Sequence, residues 1–130
     1  MRHITQQLGV TGGQAVDIGC GRGDQLFALQ RLGFEVTGLD LERSADGIPN
    51  HHIFDVGADR FPLPDAVMDL SSSKVTIDNL YMTQIKHFML DMRRATKLGG
   101  RVALTASNWR YMCHFLYLFY TCHAIYDALD

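Results

Sequence analysis

The chain has 130 residues, 47% hydrophobic and 20% charged, with a formal net charge of −2. That length fits one domain of ordinary soluble composition, and the slight negative balance gives no electrostatic reason to expect nucleic acid. Three cysteines, odd in number and without close pairing, point to reduced thiols in a cytoplasmic compartment rather than a disulfide framework.

The chain opens on a polar stretch, Met1-Arg2-His3-Ile4-Thr5-Gln6-Gln7, with no signal-peptide pattern. A first strand is expected over residues 14–18. It runs into Val16-Asp17-Ile18-Gly19-Cys20-Gly21-Arg22-Gly23-Asp24, where three glycines alternate through a tight loop. Glycine lets the backbone turn sharply and lets a ligand approach closely. Asp24 suits the N-cap of a helix carrying Leu26, Phe27, Leu29 and Leu32, which Gly33 closes. The amides at that helix start favour a polar or anionic ligand group. A second strand ends at Asp40, and Leu41-Glu42-Arg43-Ser44 suggests a turn of helix that Gly47-Ile48-Pro49 breaks. A third strand is expected over 52–55. Pro62 and Pro64 keep the next connection extended. A fourth strand follows over 66–71, and a long helix over 78–97 carries Tyr81, Ile85, Phe88, Met89 and Met92 at helical spacing. A fifth strand over 101–105 and a terminal helix over 109–129 complete the pattern.

Strands alternating with helices make an α/β fold: a Rossmann-like parallel sheet with helices on both faces, three layers in all. Right-handed crossovers give the strand order 3-2-1-4-5. Ligands of such sheets bind beyond the carboxyl ends of the strands, where the order reverses. Asp17, Gly19, Asp40, Asp55 and Ser71 are expected at or just after such ends. Asp40 is placed to accept both hydroxyls of a ribose, so the cofactor contains a nucleoside.

The glycine spacing argues against a nicotinamide. A dinucleotide loop wants glycines at positions one, three and six. Gly19 and Gly21 fit, but position six is Asp24 and the third glycine comes one residue early, at Gly23. An acid followed by G-x-G-x-G resembles the class I S-adenosylmethionine-dependent methyltransferases. The resemblance extends through Asp40, Phe54-Asp55-Val56, the run from Phe61 to Leu70, the run from Arg93 to Arg101, and Ser107-Asn108-Trp109. It covers a core of about residues 14–109.

The resemblance implies S-adenosyl-L-methionine as cofactor and assigns roles to its residues. Asp40 would hold the ribose. The backbone of Gly19, Cys20 and Gly21, with Gly23 completing the loop, would approach the methionine part. Asp17 would order that loop or meet the cofactor's amino group, directly or through water. Asp55 would accept from the adenine amine and the Val56 amide would donate to a ring nitrogen. Leu41 and Val56 would cover the adenine faces, and Ser71 would lend backbone to the amino end. Each has a plainer alternative: a solvated turn acid for Asp40, a simple turn for the glycines, a structural role for Asp17, a cap for Asp55. Asp69 reads as structural, Cys20 as packing, and the six histidines form no site.

The implied activity is methyl transfer to a small-molecule or lipid-like acceptor, with a non-catalytic cofactor-binding module or partner subunit as the alternative. The N/D-P-P-Y/F motif of amino-methylating nucleic-acid enzymes is absent, since Ser71-Ser72-Ser73-Lys74 stands there. Three features depart from the family: only about 13 residues precede the first strand, the segment after Asp40 is short, and the last two strands have no sequence here. Within the terminal segment 110–130, the run Tyr111 to Tyr120 is apolar nearly all round, where a surface helix shows one stripe. A homodimer or protein partner on that helix or on the fifth-strand edge would cover the apolar surface, as would contact with a membrane surface.

Overall fold

The computed structural model describes residues 2–42, 50–57 and 60–106. The expected helical turn past Glu42, the break at 47–49 and the terminal helix over 110–130 lie outside the described residues.

A five-stranded parallel sheet runs in the order β3-β2-β1-β4-β5. Its elements are α1 (Arg2–Leu8), β1 (Gly13–Ile18), α2 (Asp24–Arg31), β2 (Phe34–Asp40), β3 (His51–Ile53), β4 (Met68–Lys74), α3 (Met82–Ala95) and β5 (Thr96–Thr105). The order is the expected one. α1 was not foreseen.

The alternation of the strands sorts their side chains onto two faces. Ala15 and Leu70 join Leu26 and Leu29 of α2 in one buried cluster, with Cys20, Phe34 and Val36. Val16 and Ile18 face the other way, onto Phe88, Met92 and Ala95 of α3, together with Phe61, Leu63 and Ile77. Phe61 lies edge-on to Phe88 at 5.6 Å, an arrangement that suits the ring quadrupoles. No described helix is long and apolar enough to cross a membrane.

Several boundaries differ from expectation, among them the fifth strand, which begins at Thr96 rather than at 101. The third strand is His51–Ile53, one residue early, because it pairs only with Gly38, Leu39 and Asp40. The fourth strand runs on to Lys74. Three consecutive serines look like a loop by propensity, yet each hydroxyl is bonded: Ser71 with Thr96, Ser72 with Val16 or Asp17, Ser73 with the Ile18 carbonyl. Backbone pairing with β1 and β5 on both sides then holds the strand. The long helix is split. Thr76–Asn79 form a 3₁₀ turn, Leu80 and Tyr81 are extended, and α3 stops at Ala95 because Thr96 turns to pair with Met68.

The extended connection at Pro62 and Pro64 is pinned by one side chain. Arg94 of α3 donates to the carbonyls of Phe61 and Leu63 and to the carboxylates of Asp65 and Asp91. Arg94 and Asp91 side chains are 18% and 14% exposed, whereas those of Arg60 and Asp65 in the neighbouring pair are 67% and 65% exposed. Partners left without a donor in a sparsely hydrated place cost more than an exposed ion pair contributes. Arg94→Ala should therefore lower stability by about 2–3 kcal/mol, and Arg60→Ala by less than about 0.5 kcal/mol. Urea denaturation of the two variants beside the parent checks the contrast.

Candidate functional site

The carboxyl ends of β1, β2 and β4 meet at the glycine loop. Gly19, Gly21 and Gly23 have φ of 75°, 51° and 85°, all in the left-handed region that favours glycine. At Gly19 the need is also steric, because a Cβ would fall inside the side chain of Thr76. Thr76 in turn donates its hydroxyl to the Ile18 carbonyl, 3.0 Å away. The turn after β4 is thereby fastened to the end of β1. Gly21 has open space where a Cβ would stand, so the loop presents bare backbone there.

Asp24 is not the N-cap. Gly23 takes that position without any side-chain bond, and Asp24 is the first residue of the helix. The loop amides are also less available than expected. Gly19 and Cys20 both donate to the Leu39 carbonyl, at 2.7 and 3.1 Å, and Gly21 donates to Asp40. These donors fix the loop onto β2. What the loop offers a ligand is its close-approaching backbone and the carboxylates around it.

Asp40, half-buried at the end of β2, is held from both sides. Its Oδ2 accepts the Gly21 amide at 2.7 Å and its Oδ1 accepts the Glu42 amide at 3.2 Å. An ionised carboxylate has about four acceptor positions, so each oxygen keeps room for another donor. Such a group can receive two adjacent hydroxyls. Leu41, 63% exposed, follows it, and Ile53, 66% exposed, is its register partner on β3. Two uncovered apolar side chains beside a ribose acceptor suit the faces of a purine. Ile53 was missed in the sequence, where only pairing with Asp40 would have singled it out.

Asp55 is exposed, and its Oδ1 accepts the Gly57 amide at 2.9 Å in a local turn. Val56 is 8% exposed and belongs to the core on the α3 face, so its side chain is not free to cover a ligand. Ser71 is a further correction. Because β4 extends to Lys74, Ser71 lies inside the strand, fully buried, with its hydroxyl bonded to Thr96. The residues that do stand at the end of β4 are Lys74, Val75 and Thr76.

Asp17 is 2% exposed near the end of β1. Burial pushes its carboxyl up to about 6, against hydrogen bonds from Ser72 and Gln25 that favour the charge. Its Oδ1 accepts from Gln25 Nε2 at 2.7 Å and lies 3.1 Å from Ser72 Oγ. Gln25, Ser72 and Thr76 all went unnoticed in the sequence, since none belongs to the glycine pattern. Cys20 is buried, and its thiol is pushed up to about 12 by burial and by the charges of Asp17 and Asp40. Its place among Leu26, Leu29, Phe34 and Val36 fits the packing role. Asp69 lies at the far end of β4, where Lys97 and the Gln14 amide hold its carboxyl below the usual range. No group of three metal-ligating side chains exists among the described residues.

The residues present fit S-adenosyl-L-methionine. A diol acceptor flanked by apolar side chains suits its adenosine, and a buried carboxylate short of compensating charge suits its ammonium group.

The sequence pattern of the family described as methyltransferase domain matches residues 16–104. A ubiquinone biosynthesis O-methyltransferase of Aromatoleum aromaticum is 37% identical over 54 residues, which are 42% of this chain and 23% of that protein. A TehB-like S-adenosylmethionine-dependent methyltransferase of Corynebacterium glutamicum superposes with a TM-score of 0.68 at 22% identity, over 78% of this chain and 59% of that one. Phosphoethanolamine N-methyltransferase 1 of Haemonchus contortus, solved with phosphoethanolamine and S-adenosylhomocysteine, superposes with a TM-score of 0.64 at 22% identity, over 75% of this chain and 22% of that one. The chain thus spans less than two thirds of each of these proteins. The glycine loop, the acids at the strand ends and the strand order agree with the match over residues 16–104: the chain belongs to the methyltransferase-domain family, whose cofactor is S-adenosyl-L-methionine.

Proposed function

We propose that the cleft at the carboxyl ends of β1, β2 and β4 binds S-adenosyl-L-methionine, and that the protein containing this chain transfers its methyl group to a small or lipid-like acceptor. The observation that carries the reading is Asp40, a carboxylate fixed by two backbone amides with acceptor capacity left on both oxygens. The relative named for ubiquinone biosynthesis and O-methylation supports an oxygen acceptor of lipid-like character.

When bound, the cofactor supplies a methyl group on a sulfonium that is already a good leaving group. The chain's task is then to bind, to orient and to exclude water. Asp40 fixes the ribose, and Leu41 and Ile53 flank the base. Asp17 receives the ammonium group, and the Gly19–Gly21 backbone lies along the methionine part. Anchoring both ends of the cofactor fixes the atom between them. Holding the reacting atoms in line can supply ~7–11 kcal/mol of the barrier.

Three outcomes test this reading. Calorimetric titration should show S-adenosylmethionine binding and no NAD binding. Asp40→Ala should weaken the former on the order of a hundredfold, the loss of two hydrogen bonds to a charged acceptor. Incubation with hydroxylated quinols should release S-adenosylhomocysteine. Cofactor binding without release, against quinols and acyl-chain acceptors alike, would favour a non-catalytic partner subunit instead.

Asp17→Asn should separate binding from stability. A carboxyl raised from 3.8 to about 6 favours the fold fully below the unfolded value. That contribution is lost as pH rises through the folded value. At pH 8 the amide should therefore stabilise the empty chain by on the order of 2–3 kcal/mol while weakening cofactor binding. The gain should shrink as pH falls from 6 towards 4. Thermal unfolding of both proteins across that range is the measurement.

A further inference from the structure

Asp17 does not stand alone. Ser72 is its direct register partner on β4, so the two side chains emerge side by side on the α2 face of the sheet. Gln25, the second residue of α2, reaches down onto both. Its Nε2 lies 2.7 Å from Asp17 Oδ1 and 3.1 Å from Ser72 Oγ. The Ser72 hydroxyl has one proton, with Asp17 Oδ1 and the Val16 carbonyl each 3.1 Å away. Ser72 is 1% exposed, so this is a built arrangement inside the molecule and not a surface contact.

The chemistry of the cluster is one-sided. An amide nitrogen only donates, and an amide oxygen turned towards the carboxylate would be repelled, so the side chain must present its nitrogen. Both donors converge on Oδ1. Neither bonds Oδ2. Among the described residues no donor reaches Oδ2, and a buried carboxylate with one oxygen so left is strongly drawn to a cation.

We propose that Gln25, with Ser72, is a positioning residue for the cofactor: it locks Oδ1 of Asp17 and reserves Oδ2 for the ammonium group. This rests on the cofactor reading given above and deepens it. Three elements thereby take part in one contact, since the ammonium meets β1 while its acceptor is held by α2 and β4. The charged groups that face Asp17 are Asp40 from β2, which opposes its ionisation, and Lys74 from β4, which favours it. Both remain in place when Gln25 is changed, so a change in the pH response reports on the Gln25 donor.

The test compares two ligands of the purified protein by calorimetry. S-adenosylmethionine carries the ammonium group, whereas 5′-methylthioadenosine keeps the nucleoside and lacks the amino acid. Gln25→Leu should weaken the first roughly tenfold, the worth of one charge-assisted hydrogen bond, and leave the second within about twofold. Ser72→Ala, the milder change, should weaken the first roughly threefold and spare the second. The decline of S-adenosylmethionine affinity on acidification should also begin at a higher pH in Gln25→Leu, because a donor favouring the ionised carboxyl is gone. Equal losses for both ligands would make Gln25 a support of the loop and overturn the proposal, as would unchanged affinity for both. Failure of the unaltered protein to bind either ligand would instead sink the cofactor reading, and this inference with it.

Discussion

Asp17 is 2% exposed, and a carboxylate so placed is tolerated only where donors or a cation replace the water it has lost. Among the described residues, donors reach it on one side only. Ser72 arrives through the pairing of β1 with β4, and Gln25 arrives because the glycine loop aims the first turn of α2 back over the sheet. The loop can do so because Gly19 admits Thr76 against its backbone and because Leu39 holds the amides of Gly19 and Cys20. The central strand, the crossover helix and β4 thus meet at a single carboxylate.

The architecture was legible because it follows from periodicity. Apolar runs at the strands and helical spacing in Ile85, Phe88 and Met92 are set by burial on two faces, and burial leaves its mark on residue type. Strand ends were less legible. Ser71-Ser72-Ser73 carries no apolar signal, yet all three are buried, because every hydroxyl found a partner that lies far off in sequence. The split before α3 was hidden for a related reason. Ile77 and Leu80 continue a helical spacing, but the chain extends at Leu80 and Tyr81 before the helix begins.

The site shows the same division. Residues fixed by local backbone needs, Gly19, Gly21 and Gly23, and acids at strand ends, Asp17 and Asp40, could be found by spacing. Residues that act through a neighbouring strand could not. Ile53 stands beside Asp40 only through the pairing of β2 with β3, and Ser72 stands beside Asp17 only through the pairing of β1 with β4. Val56 erred in the opposite direction. Its place next to Asp55 suggested a ligand contact, but alternation along the chain turned its side chain into the core.

The triple serine of β4 has a consequence for how faithfully this sheet must assemble. In a strand, displacement by a single residue carries every side chain to the opposite face. Were β4 displaced by one against β1, Ser71 or Ser73 would arrive beside Asp17, and the polar cluster could rebuild itself with a chemically identical hydroxyl. Around Asp17 itself the serines therefore do not discriminate between the correct alignment and its nearest error. Leu70 does, because it is fully buried against Leu26 and Leu29 and would be driven out of that cluster. The fidelity of a polar site thus draws on an apolar residue two positions away.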